Sequence, residues 1–302
     1  MRNAYTRWNG GLVVALLAAS ATLWAQRGTP DHPKVSMFGQ DFTPLSIVTR
    51  NMGTSEDQTT AYPPHKVIDN IYYVGTKTLS SFLIVTSAGN ILMDTTYERN
   101  VQTIKQSVEK LGFKFEDIKI ILGNHAHGDH MEGDALAKEL SGGAQVMAMA
   151  EDVPALQAMK PGGKAHPIDR ILHDGDTVTL GNETLTAHLT PGHTHGCTSW
   201  TTTAKQNGKT YNVLLGCSLR AGSGVPPDVE AEFTKAFAAV KKLPCDVLLG
   251  DHPAQFDMWD KYDRIKPGAP NPYIDELTCH KERDIEEAMF HAIVSEQKAA
   301  KP

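Results

Sequence analysis

The stretch Ile118-Lys119-Ile120-Ile121-Leu122-Gly123-Asn124-His125-Ala126-His127-Gly128-Asp129-His130 sets the fold and the chemistry together. Its first five residues are a short β-branched run, which predicts a buried strand. Gly123-Asn124 breaks that strand. Three imidazoles and a carboxylate then fall within six residues, in a chain that has 13 His among its 302 residues. Imidazole is the commonest zinc ligand, and a carboxylate takes a second metal or holds a water. A helix is expected next, over Asp134 to Leu140. The ligands therefore crowd a loop at the carboxyl end of a strand, where open α/β sheets bind their ligands. His125 and His127, two apart in an extended loop, point one way, and Asp129 and His130 turn to the other. That spacing suits two adjacent metals better than one.

A two-zinc hydrolytic site needs roughly six protein ligands and an open position. The cluster supplies four. Two more loops share its setting of a strand followed by a Gly turn. Thr190-Pro191-Gly192-His193-Thr194-His195 follows a strand expected to end at Leu189, with His193 the ligand and His195 the extra imidazole. Gly250-Asp251-His252-Pro253 follows Asp246-Val247-Leu248-Leu249, with His252 as ligand. The histidines at 32, 65, 166, 173, 188, 280 and 291 lack this context and read as surface or satisfied core residues.

The first half further predicts strands over 70–74, 81–86 and 90–94, close-set as an antiparallel meander. A helix follows over about 100–111, with Val101, Ile104, Val108 and Leu111 at helical spacing and Gly112 as its C-cap. A strand over 144–148 and a helix near 153–159 complete this half. The second half repeats the order, with strands over 177–180, 183–189, 198–202, 211–215 and 246–249. Its helices are expected over about 228–242 and 281–299. Each half reads as mostly antiparallel. Two such halves face to face, with helices outside, make an α+β, four-layer αββα sandwich with the metal loop at the seam.

Residues 26–64, rich in Pro, Thr and Ser, read as an extended lead-in, and 65–302 as one catalytic domain. Arg2 and Arg7 precede an apolar run and small residues, so residues 1–25 read as a signal peptide cleaved after Ala25. The apolar run, about Gly10 to Ala25, is shorter than the roughly 20 residues of a membrane span. The expected location is periplasmic or secreted, with no stable membrane insertion after cleavage. The net charge of −6 counts against a nucleic-acid partner, which calls for a basic face. Export lets Cys245 and Cys279 pair as a disulfide, and buried free thiols are the alternative for all four cysteines. Cys197 and Cys217 each lie near an expected metal ligand.

Taken with Tyr72-Tyr73-Val74-Gly75-Thr76, Leu79-Ser80-Ser81-Phe82-Leu83, Gly192-His193-Thr194, Gly196-Cys197-Thr198-Ser199-Trp200, Leu243-Pro244-Cys245-Asp246-Val247-Leu248-Leu249 and His252-Pro253, the histidine run resembles the metallo-β-lactamase superfamily. Within it, the chain is most similar to the third subclass of class B β-lactamases. The resemblance implies two zinc ions, one on His125, His127 and His193, the other on Asp129, His130 and His252. It implies a Cys245–Cys279 disulfide. It also implies hydrolysis of the β-lactam ring amide of antibiotics by a metal-bound hydroxide, with Asp129 the catalytic residue that orients the water. Many relatives of other activity, among them lactonases and glyoxalase-II-like thioesterases, bridge the metals with an Asp after the strand ending here at Leu215. This chain has Gly216-Cys217-Ser218-Leu219 there, and Ser218 fits the third-subclass pattern. Cys217 is a minor ligand candidate, as in the first subclass. Arg220 stands where a substrate-contacting Ser is usual and is suited to a substrate carboxylate. Ser218 and Arg220 are therefore the expected substrate contacts. His195 in place of Pro, Thr95-Thr96 in place of a Gly pair, and a short stretch over 221–230 depart from the subclass. A lactonase or phosphodiesterase-like hydrolase on the same fold is the alternative activity.

Overall fold

The computed structural model describes residues 30–222 and 224–300. The expected signal peptide, 1–25, lies outside them. Fourteen strands fall into a seven-stranded sheet, a five-stranded sheet and a small hairpin among the described residues.

The seven-stranded sheet runs in sequence order: β3 (His65–Ile68), β4 (Ile71–Tyr73), β5 (Phe82–Thr86), β6 (Gly89–Met93), β7 (Ile118–Leu122), β8 (Gln145–Met149) and β9 (Arg170–Leu172). β3 to β6 are an antiparallel meander, and β6 to β9 are parallel. The expectation of a mostly antiparallel half therefore holds only for its first part. The helices α2 (Val101–Lys110) and α4 (Asp134–Leu140) supply crossovers, and crossovers make parallel neighbours. The five-stranded sheet is β10 (Thr177–Leu180), β11 (Glu183–Leu189), β12 (Thr198–Gln206), β13 (Lys209–Gly216) and β14 (Val247–Gly250). It is antiparallel until β14, which lies parallel to β13 after the crossover helix α6 (Pro227–Val240).

Period-2 alternation sorts the side chains into layers. Phe82, Ile84, Ile91, Met93, Ile120, Leu122 and Met147 point inward and meet Leu185, Ala187, Trp200, Val213, Leu215 and Leu249 of the other sheet. Leu83, Leu92, Ile121 and Val146 point outward and are covered by Val101, Ile104 and Val108 of α2 and Ala137 of α4. The final helix, α8 (Glu276–Ala299), packs on β14 and on α6 through Ile285, Met289, Phe290 and Ile293. This is the α+β sandwich expected from the sequence.

The lead-in is not simply extended. β1 (Val35–Met37) and β2 (Gln40–Phe42) form a hairpin, and α1 (Pro44–Met52) follows. Thr43 caps α1, accepting from the Ser46 N–H while Ser46 accepts from the Thr43 N–H, and Pro44 sits at the first helical position. These are strong start signals. Phe42 and Ile47 bury themselves in the α6–α8 cluster, so burial drives a segment whose composition reads as linker. The strands β3 and β9, three or four residues long, carry too little pattern to be read from sequence.

Candidate metal centre

Six strand ends meet at one rim of the sandwich. β7 delivers residues 125–130, β11 delivers His193, β14 delivers His252, and β13 delivers Ser218 and Arg220. β6 and β8 end just before Asp94 and Asp152. The short α3 (Gly128–Met131) turns His130 back into the protein.

The six expected ligands form two triads. His125, His127 and His193 bring one ligand atom each within 4.8 Å of one another, and so do Asp129, His130 and His252. The three rings of the first triad lie edge to face, with centroids 4.7 to 4.8 Å apart. In the second, Asp129 Oδ2 is 3.4 Å from His130 Nε2 and 3.9 Å from His252 Nε2. The rings of His125 and His130 join the triads at 4.2 Å. His125, His130 and His252 are buried, Asp129 and His193 are half-buried, and His127 is exposed. The site is thus closed behind and open in front, as a catalytic metal site requires.

The rings are aimed from behind. His193 Nδ1 meets the Arg220 carbonyl at 2.9 Å, and His252 Nδ1 meets the Thr78 carbonyl at 2.9 Å. Each contact leaves Nε2 facing the triads. His125 Nδ1 lies 3.5 Å from Asp251 Oδ2, and His130 Nδ1 lies 3.7 Å from Asp94 Oδ2. Carboxylates behind ligating imidazoles fix ring orientation and raise basicity. His125 Nε2 and His130 Nε2 are buried without a hydrogen-bond partner. A buried polar atom left this way is costly, and a metal ion satisfies both. The donor set fits zinc.

Electrostatics separates the two triads. Burial, helped by neighbouring imidazoles, pushes His125 and His193 well below the usual histidine range, so both are neutral and able to ligate. Burial works to raise Asp129, but His130, His252 and His127 override it and hold the carboxyl well below its usual range. Burial works to lower His130, and the adjacent Asp129 carboxylate raises it instead. Burial pushes Asp94 up to about 6.

Asp152 stitches two of the loops. Its Oδ2 accepts the Ala126 N–H at 2.8 Å and the Thr194 hydroxyl at 2.9 Å, and its Oδ1 accepts the Gly196 N–H at 2.8 Å. Trp200, buried between the sheets, donates from Nε1 to the Gly123 carbonyl at 3.2 Å and so braces the turn before His125.

Several expectations change. Cys217 is not a metal ligand, because it is bonded to Cys197, and a disulfide sulfur has no thiolate to offer. Ser218 is buried, and its hydroxyl donates to Glu286 Oε1 of α8 at 3.3 Å. Arg220 is half-buried and close enough to Asp129, His127 and His193 for its charge to act on theirs. His195 leans out to Glu232 Oε1 of α6 at 2.8 Å. The expected Cys245–Cys279 disulfide is formed. Ala221 and Val225 anchor the short stretch after Arg220 in the α6–α8 cluster, and the Val225 N–H donates to Gln297 of α8. Asp94, Asp152, Asp251 and the Cys197–Cys217 bond were missed by sequence reasoning. Each carboxylate lies just past a strand end, which was the one available signal.

Two triads of this composition at the rim of an αββα sandwich define a class of metal-dependent hydrolases. Residues 75–206 match the family model of the metallo-β-lactamase superfamily. The chain is similar to native FEZ-1 metallo-β-lactamase from Legionella gormanii, at 36% identity and a TM-score of 0.75, over 80% of this chain and 98% of that one. It is similar to BJP-1, a subclass B3 metallo-β-lactamase of Bradyrhizobium japonicum, at 39% identity and a TM-score of 0.74, over 81% and 98%. The chain belongs to the metallo-β-lactamase superfamily, and its structural relatives are mostly subclass B3 enzymes. A shorter match joins it to a hydroxyacylglutathione hydrolase of Cereibacter sphaeroides, 40% identical over 76 residues. That match spans about a quarter of each protein, 25% of this chain and 26% of the relative.

Proposed function

We propose that this protein is a zinc-dependent β-lactamase that opens the ring amide of β-lactam antibiotics outside the cytoplasm. One observation carries the reading. Where β13 leaves the sheet, the position of a bridging carboxylate in relatives of other activity is taken by Cys217, sealed in a disulfide, and by Ser218. The similarity to B3 enzymes over nearly their whole length supports the same conclusion. Two disulfides among the described residues support an exported protein.

His125, His127 and His193 would hold one zinc, and Asp129, His130 and His252 would hold the other. Zinc bound there supplies Lewis acidity, polarising a carbonyl and lowering the pKa of a water toward neutrality. Asp129, whose carboxyl lies well below its usual range, accepts a hydrogen bond from the attacking water and orients it toward the lactam carbonyl. Arg220, beside Asp129, meets the carboxylate that β-lactams carry next to the ring nitrogen. The buried walls exclude bulk water from behind. No side-chain nucleophile takes part, so no covalent intermediate forms.

The glutathione-thioester match supplies the rival, a thioester hydrolase on the same site. Turnover of a cephalosporin, a carbapenem, a glutathione thioester and an acyl-homoserine lactone, before and after chelation, separates the two. The expected result is lactam turnover that chelation abolishes and zinc restores. Chelator-resistant lactam turnover, or a preference for the thioester, overturns the proposal.

A further inference from the structure

Segment 217–220 is a junction at which three metal-binding loops are held together. The Cys217 disulfide ties it to the His193 loop. The Ser218 N–H donates to Asp251 Oδ2 at 2.8 Å, beside His252, and that same oxygen stands 3.5 Å behind His125 Nδ1. The Arg220 carbonyl takes His193 Nδ1 at 2.9 Å. Between these ties, the Leu219 N–H donates to Glu286 Oε2 at 3.0 Å and the Ser218 hydroxyl to Glu286 Oε1 at 3.3 Å. Glu286 is buried in α8, one turn from Glu282, which is paired with Arg50 of α1. Burial and the neighbouring Glu282 raise the Glu286 carboxyl well above the usual range, and a buried carboxyl group is costly unless it is hydrogen-bonded. Its two oxygens are spent on consecutive residues of the junction.

We propose that Glu286 is a positioning residue of the metal centre. It holds Ser218 and Leu219 so that the Arg220 carbonyl aims His193, and Asp251 backs His125, at the first triad. It touches neither metal nor substrate and acts through those two contacts. The inference rests on the reading of His125, His127 and His193 as zinc ligands, and it does not depend on which substrate is cleaved.

The test measures zinc affinity of the full chain by chelator competition without substrate, with the visible spectrum of the cobalt(II)-loaded protein as a second readout. Glu286→Ala is expected to weaken the first triad by about 10–100-fold and to shift the cobalt bands, the range typical for partners behind metal ligands. Glu286→Gln keeps an oxygen for the Leu219 N–H and is expected to stay within about threefold of the parent. Met289→Ala loosens the same helix away from the junction and is expected to lower Tm with zinc affinity unmoved. If Glu286→Ala does not fold, Glu286→Asp, one methylene too short, carries the same expectation. Parent-like zinc affinity in a folded Glu286→Ala or Glu286→Asp variant overturns the proposal. An equal loss in Met289→Ala overturns it as well. A parent protein that binds two zinc ions yet cleaves no lactam sinks the substrate reading and leaves these zinc data decisive for Glu286.

Discussion

The clustering of His125, His127, His193, Asp129, His130 and His252 was legible because imidazoles, with one carboxylate among them, gather in loops after strands. The groups that aim them were not. Asp251 reads as an ordinary loop acid and Asp94 as the end of a strand until the fold puts them behind His125 and His130. Gly196 shows how tight the arrangement is, since a Cβ there would lie 2.5 Å from Asp152 N and 2.6 Å from its Cβ. Gly196→Ala is expected to displace Asp152 and to lower both zinc affinity and Tm, and unchanged values in a zinc titration and a melt would contradict this. Protonation separates the two triads. His125 and His193, pushed down by burial, stay neutral as pH falls. His130, raised by Asp129 against the effect of burial, takes up a proton at higher pH, and a protonated ring cannot ligate. Acidification is therefore expected to strip metal first from the Asp129–His130–His252 triad. Zinc titrations at about pH 7.5 and about pH 5.5 check this, and loss of the first triad before the second would reverse the sign.

At the scale of elements, long periodic segments were readable and short ones were not. α4 lies where its sequence pattern places it, and α2 differs by a residue at each end. The strands β3 and β9 are set by pairing with their neighbours rather than by their own pattern. The helix α1 hides in a Pro- and Thr-rich stretch, and its Thr43-Pro44 start is legible only once a helix is suspected. Parallel pairing of β6 to β9 follows from the helices between those strands, which were read as helices but not used to orient the strands. Trp200 links the core to the metal loop through the Gly123 carbonyl. Trp200→Ala is expected to cost about 3–5 kcal/mol of stability by the usual cavity and transfer terms, measured by denaturant unfolding. It also frees the turn before His125, so zinc affinity should fall with stability. A loss below about 1 kcal/mol would show that the inter-sheet core does not depend on this ring.

Across the whole molecule, two sheets bury their inner faces against each other, and the loops at one rim carry the chemistry. The layer order was legible from strand and helix order alone. What escaped was how distant parts are tied, because such ties have no local pattern. Cys197 pairs with Cys217 across 20 residues, and Arg50 of α1 reaches Glu282 of α8. The Cys245–Cys279 bond, which the sequence did anticipate, closes a separation of 34 residues between the approach to β14 and α8. Replacing both cysteines by Ser is expected to cost about 2–4 kcal/mol while leaving zinc stoichiometry at two, since neither residue touches the triads. Loss of a zinc ion in a folded double variant would contradict that separation of roles. Both triads together are expected to hydrolyse a lactam, and zinc added stepwise to the metal-free protein while hydrolysis of a chromogenic cephalosporin is followed reads this out. No turnover is expected without zinc, with a rate that rises and saturates by two equivalents. Turnover in the metal-free protein, or two bound zinc ions with no lactam cleaved, would contradict it.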